Sequence, residues 1–255
     1  MGKQKGGSNV DKVKATSKTT ASASNSSVQD DVRFPAIGGQ KHARTLESPQ
    51  VLVADQVLLY PNTLTNSECE SLIGMFDSDN LKMQASPPAK KGEAERTNFR
   101  FSTVSPKFAK ELYESTGLSK VVADWPSVFP KMNAKPVGLS SNIRIYRYDP
   151  GAIFACHYDD HSIDPHFGPS WGKTEWTLLV YLTGEPEVQG GQTVFYKGHT
   201  RPKDGIQSEN AIVAPLMKGA ALLHRHGKAC MLHEALPPTK GTKWVLRSDL
   251  VFGTS

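Results

Sequence analysis

The sequence predicts an α+β fold in which a jelly-roll core, a double-stranded β-helix over about residues 140–253, follows helices that buttress one of its sheets. Three observations predict it. A polar leader gives way near residue 49 to an apolar run. Two stretches after it, about 66–78 and 106–125, carry helical apolar spacing. From Ser140 on, short β-branched and aromatic runs alternate with Gly, Pro, Asn and Asp.

Residues 1–48 are rich in Ser, Thr, Lys, Ala, Gly and Asn, and ATSKTTASASNSS has no apolar period. Such a stretch buries too little surface to offset its ordering entropy, so it is expected to be a disordered tail, with order beginning near Phe34. The remaining domain is expected to span 49–255. VLVADQVLLY, residues 51–60, reads as a strand ended by Pro61-Asn62. Thr65 and Glu68 have capping-box spacing, and Cys69, Leu72, Ile73 and Phe76 behind them predict a helix over about Asn66–Ser78. A polar loop over 79–96 follows, then a helical region over about Pro106–Trp125 broken near Gly117. Strands are expected near 141–148, 152–158, 175–183, 192–196, 209–214, 219–225, 229–234 and 243–252, with Gly190-Gly191 as a turn.

Of the net charge of +5, residues 1–50 carry +4 (eight Lys or Arg against four acids), which leaves +1 for the rest. The domain therefore lacks the positive charge of a nucleic-acid reader, while the basic tail suits contact with acidic partners. Three scattered cysteines, Cys69, Cys156 and Cys230, are too few for a disulfide framework and point to a reducing cytoplasmic or nuclear setting. No apolar run is long enough to span a membrane, and MGKQKGGSNV has no apolar region of a secretory signal.

His157 and Asp159 stand two apart at the end of an expected strand, so their side chains share a face. His233 ends another strand 74 residues later. Two imidazoles and a carboxylate form a facial triad that leaves three metal positions open for a chelating co-substrate and dioxygen. Lys243 and Arg247 lie ten and fourteen residues past His233, on one face of an apolar strand, where a buried cation can pair with the far carboxylate of a dicarboxylate. His161, His166 and His226 read as solvated, and His224 as a neighbour of the metal pocket. A water-activating zinc site would use the same ligands but leave the basic residue without a purpose.

The stretches NIRIYRYDPGAIFACHYDD, EWTLLVYLT, GGQTVFY, KGAALLHRHG and LHEALPPTKGTKWVLRSDL, in this order over Asn142–Phe252, resemble the catalytic domain of the prolyl-4-hydroxylase-like 2-oxoglutarate oxygenases. The resemblance implies iron(II) on His157, Asp159 and His233, with 2-oxoglutarate and O2 as co-substrates and ascorbate as a further cofactor. It places the 2-oxoglutarate C5 carboxylate on Lys243, with Arg247 as an extra cation able to take the role, and Tyr148 and Tyr181 as co-substrate contacts. It implies hydroxylation of an unactivated C–H bond with release of succinate and CO2. EAERTNFRFS, with Arg96, Asn98 and Arg100, is expected to line the substrate entrance, and the loop Ser162–Lys173, with Trp171, to act as a lid over it. A protein side chain such as prolyl and a small-molecule metabolite both stand as substrates, beside a catalytically silent metal-binding barrel. A nucleic-acid demethylase is disfavoured because the chain lacks a second arginine in the run after the distal His.

Overall fold

The computed structural model describes residues 32–38, 44–78, 81–124, 134–168 and 172–254. In chain order the elements are β1 (Gln50–Val53), β2 (Val57–Tyr60), α1 (Asn66–Phe76), β3 (Gln84–Ala85), β4 (Phe99–Val104), α2 (Pro106–Ser115) and α3 (Leu118–Asp124). They continue with β5 (Ala134–Leu139), β6 (Asn142–Tyr148), β7 (Phe154–His157), β8 (Lys173–Tyr181), β9 (Gln189–Gly190), β10 (Thr193–Tyr196) and β11 (Ala211–Ala214). The last are β12 (Ala221–Arg225), β13 (Leu232–Ala235), β14 (Pro238–Lys240) and β15 (Lys243–Thr254). The architecture is mostly β.

A nine-stranded sheet runs β1-β2-β12-β8-β15-β6-β4-β3, with β5 also on β15. A four-stranded sheet runs β11-β10-β13-β7, and β14 pairs with β9. The two larger sheets enclose one apolar cluster: Val57, Leu59, Tyr146, Tyr148, Tyr181, Leu222 and Val245 from the first meet Phe195, Ala214 and Ala235 from the second. The opposite face of the large sheet, through Leu58, Tyr60, Ile145, Trp176, Leu178, Leu223 and Leu246, packs on Cys69, Leu72 and Phe76 of α1 and Phe108 and Leu112 of α2. Period-2 alternation explains the division: in Val57–Tyr60 alternate residues serve opposite faces and all four are buried, hence the unbroken apolar run.

All eight strands expected after Ser140 are present, with ends shifted by up to three residues. Two elements differ from expectation before that. Residues 51–60 form a hairpin rather than one strand, because Asp55 takes a left-handed φ of 57° and Gln56 N–H donates to Val53 O at 3.1 Å. Strands β3 and β4 arise within 84–104, ahead of α2; Phe99 and Phe101 alternate with Arg100 and Ser102 along β4, which pairs with β6 and leaves a mixed surface. The helical region does break at Gly117, whose φ is +83° and where an added Cβ would meet Arg44 O at 2.2 Å.

Residues ahead of position 49 pack against the helices. Phe34 stacks on Phe108 at 3.9 Å, and Ile37 and Leu46 are buried. Glu68 fixes this segment to α1. It completes the capping box with Thr65, accepts from Gly38 N–H at 2.7 Å and from Thr65 N–H at 2.8 Å, and pairs with Arg44. Burial opposes its ionisation, but these hydrogen bonds, that of Arg44 foremost, hold its carboxyl down to about 2.

Replacing Glu68 by Gln should therefore destabilise the domain by about 1–3 kcal/mol at neutral pH. Because the folded-state pKa is depressed, the difference from wild type should be complete above about pH 4.5 and vanish as the pH falls towards about 2. Urea unfolding of both proteins across that range checks it; a pH-independent gap would refute the assignment.

Candidate metal and co-substrate site

The four-stranded sheet puts β13 beside β7 in a register that sets His233 directly opposite His157. Asp159 follows just past the end of β7, where its backbone carbonyl accepts Gly227 N–H at 2.8 Å. The three side chains converge: His157 Nε2 lies 3.8 Å from Asp159 Oδ1, His233 Nε2 lies 3.8 Å from Asp159 Oδ2, and the donor atoms all lie within 4.8 Å of one another.

Their protonation suits a cation. His157 Nδ1 is 2.8 Å from Ala155 O and His233 Nδ1 is 2.9 Å from Met231 O. A carbonyl only accepts, so each Nδ1 carries the proton and each Nε2 keeps its lone pair for the shared centre. Burial pushes both imidazoles towards the neutral form, His157 to about 3. Asp159 is buried too, yet the Arg247 guanidinium holds it well below the carboxylate range. Two neutral imidazoles and one carboxylate are the donor set that an open-sided divalent iron site requires.

Arg247 Nη1 lies 3.1 Å from Asp159 Oδ1, Thr177 Oγ1 donates to Asp159 Oδ2 at 2.8 Å, and Asp249 holds Arg247 and Arg144. Arg247 thus spends its charge on protein carboxylates. Lys243, two strand positions before Val245 and four before Arg247, faces the same pocket. It is 1% exposed and, among the described residues, meets no carboxylate. Its Nζ donates to Gly191 O at 2.6 Å and lies 5.2 and 5.5 Å from the rings of Tyr148 and Tyr181. Burial drives its pKa down to about 7. Gly191 can offer that carbonyl because its φ is +75°.

The inner pocket, about 40 Å³, is bounded by the donor set, Tyr146, Tyr148, Thr193, Lys243 and Arg247. It adjoins an open cleft of about 720 Å³ through His157, Asp159 and Phe154. Arg96 and Arg100 line this cleft together with Arg144. Arg96 covers the Phe154 ring at 4.8 Å, and that ring stacks on His157 at 3.6 Å. Asn98 is a correction: it is 1% exposed, accepts from the Ser86 hydroxyl, donates to Phe99 O and does not line the cleft. His226 is a second correction, since it is buried with Nδ1 3.1 Å from Thr177 Oγ1 rather than solvated. Trp171 lies outside the described residues. Sequence reasoning missed Thr177, Arg144 and Asp249. Only Asp249 left a trace there, as the acid two positions from Arg247 on one strand face.

Residues 143–248 match the family model of the 2OG-Fe(II) oxygenase superfamily. A curated relative named probable prolyl 4-hydroxylase 9, from Arabidopsis thaliana, is 27% identical over 203 residues, which cover 74% of this chain and 66% of the relative. The chain therefore spans just under two thirds of that relative's length. Among solved structures, a prolyl-4-hydroxylase of Pseudomonas putida covers 79% of this chain and 95% of its own at 13% identity and a TM-score of 0.50. HygX of Streptomyces hygroscopicus, with nickel and 2-oxoglutarate bound, covers 78% of this chain and 83% of its own at 16% identity and the same TM-score. These likenesses are in fold, the fold of oxygenases with a jelly-roll core.

A catalytic rather than structural metal predicts that His157→Ala weakens divalent-metal binding by more than about 100-fold. The metal-free variant should keep its stability within about 2 kcal/mol of wild type, because the barrel has its own core. Chelator competition and thermal unfolding check both; wholesale unfolding of the variant would instead mark a structural metal.

Proposed function

We propose that this chain, whose residues 143–248 match the family model of the 2OG-Fe(II) oxygenase superfamily, is a 2-oxoglutarate-dependent dioxygenase that hydroxylates an unactivated C–H bond of a protein side chain, prolyl foremost, releasing succinate and CO2. The observation that carries the reading is the buried ammonium of Lys243, which lacks a protein carboxylate among the described residues and faces the same pocket as His157, Asp159 and His233. A buried cation is costly unless an anion joins it. A dicarboxylate that chelates the metal at one end and reaches Lys243 with the other supplies that anion.

Iron(II) held by His157, Asp159 and His233, with 2-oxoglutarate and O2, supplies the oxidising chemistry. The chain's own groups do the rest. Arg247 and Thr177 keep the Asp159 carboxylate ionised and oriented. Lys243 grips the distal carboxylate, with Tyr148 and Tyr181 walling its path. Arg247, committed to Asp159 and Asp249, is the positioning residue rather than the grip. Arg96 and Arg100 line the cleft through which the target carbon approaches. The prolyl 4-hydroxylase name of the Arabidopsis relative supports a peptide target, and the cleft's reach from the donor set to the 92–94 loop suits a segment of a larger molecule.

Succinate formation by purified protein with Fe(II), 2-oxoglutarate and ascorbate, stimulated by peptides, is the expected outcome. Stimulation by metabolites alone would move the assignment to a small-molecule oxygenase, and no 2-oxoglutarate binding would leave a silent barrel. Arg96→Ala with Arg100→Ala should raise the substrate KM about tenfold without changing the substrate-free turnover of 2-oxoglutarate. The free site takes up a proton only below about pH 7. Binding of the dianion above that pH must therefore recruit one, so the 2-oxoglutarate Kd should rise about tenfold per pH unit. Calorimetry in buffers of different ionisation enthalpy checks the uptake, and Lys243→Arg should abolish the slope.

A further inference from the structure

The cleft outside the donor set is unevenly charged. Its charged lining is Arg96, Arg100, Arg144, Arg247, Glu93 and Asp159. Arg144 and Arg247 are balanced within the protein: Asp249 accepts from both, and Asp159 pairs with Arg247. Glu93 is exposed, and its Oε2 accepts Lys90 N–H at 3.1 Å, so it serves its own turn. Arg96 and Arg100 remain as the uncompensated charge. Both are half-buried, and among the described residues neither meets a carboxylate.

The fold directs both towards the approach to the donor set. On β4, alternation buries Phe101 against Phe76 of α1 and turns Arg100 and Ser102 to the opposite face. There Arg100 stands opposite Tyr146, which also bounds the inner pocket. Arg96 rests over the Phe154 ring at 4.8 Å, and that ring stacks on His157 at 3.6 Å. A ring contact holds the charge in place without neutralising it. An extended peptide advances about 3.3 Å per residue, so with its target carbon at the donor set, residues about one to three positions away pass these two guanidinium groups.

We propose that the substrate is an acidic segment, whose Asp or Glu residues beside the target are held by Arg96 and Arg100. The inference rests on the protein-side-chain reading above and names the sequence class that the cleft takes. A carboxylate fits a guanidinium bidentately, and a half-buried pair gains more than one in open water. A Lys-rich segment brings like charge to the same two positions and is rejected.

Peptides with one proline flanked on both sides by Glu, by Gln or by Lys test this on the wild-type protein, read as peptide-stimulated succinate formation. The Glu peptide should exceed the Gln peptide at least about tenfold in kcat/KM, through KM, and the Lys peptide should be the poorest. The Glu advantage should shrink as salt rises to about 0.5 M. Charge reversal, Arg96→Glu with Arg100→Glu, should invert the order and make the Lys peptide the best, a gain that misfolding cannot produce. Should the reversed protein be inactive with all three, the wild-type order and its salt dependence decide. Equal kcat/KM for the Glu and Gln peptides, or an order that survives the reversal, would overturn the acidic-segment assignment and leave the peptide reading standing. Stimulation by metabolites and by no peptide of the set would overturn both.

Discussion

A single buried carboxylate organises this molecule. Asp159 is held between Arg247 and Thr177 on one side and three imidazoles on the other. A carboxylate taken out of water stays ionised only when charge and hydrogen bonds replace its hydration. Arg247 provides both, and Asp249 then balances Arg247 and Arg144. The chain of charges runs Asp159, Arg247, Asp249, Arg144, anchored on adjacent strands β15 and β6, so the sheet's register fixes the orientation of the donor atoms.

The large sheet makes this possible by being buried on both faces. One face rests on the helices and on the early segment tied down by Glu68; the other carries the polar site inside an otherwise apolar barrel. Low polarity around the site lowers the pKa of every imidazole and of Lys243, so the nitrogens present lone pairs and the lysine presents an unmet demand for an anion. The same burial therefore prepares the site for a metal at one end and a carboxylate at the other.

Lys243 and Arg247 share a strand face and a charge sign, yet their surroundings separate their roles. Arg247 has two carboxylates within 3.4 Å. Lys243 has a backbone carbonyl and two tyrosine rings. Which cation awaits a ligand is decided by the neighbours each strand position brings: β6, β8 and the Gly191 turn supply those of Lys243, and Asp159 past β7 reaches Arg247 from a distant part of the chain.

Local pattern determined much here. The strands after Ser140, the capping box at Thr65, the break at Gly117, and the pairing of His157 with Asp159 all follow from short-range periodicity and turn chemistry, which a strand or helix expresses within its own few residues. The facing of His233 with His157, the capture of Arg247 by Asp159, the burial of His224 and His226, and the withdrawal of Asn98 from the cleft were decided only by the tertiary structure. Each depends on which distant strand lies alongside and on how charge is balanced across the gap. That is a property of packing in three dimensions, and no periodicity in one dimension encodes it.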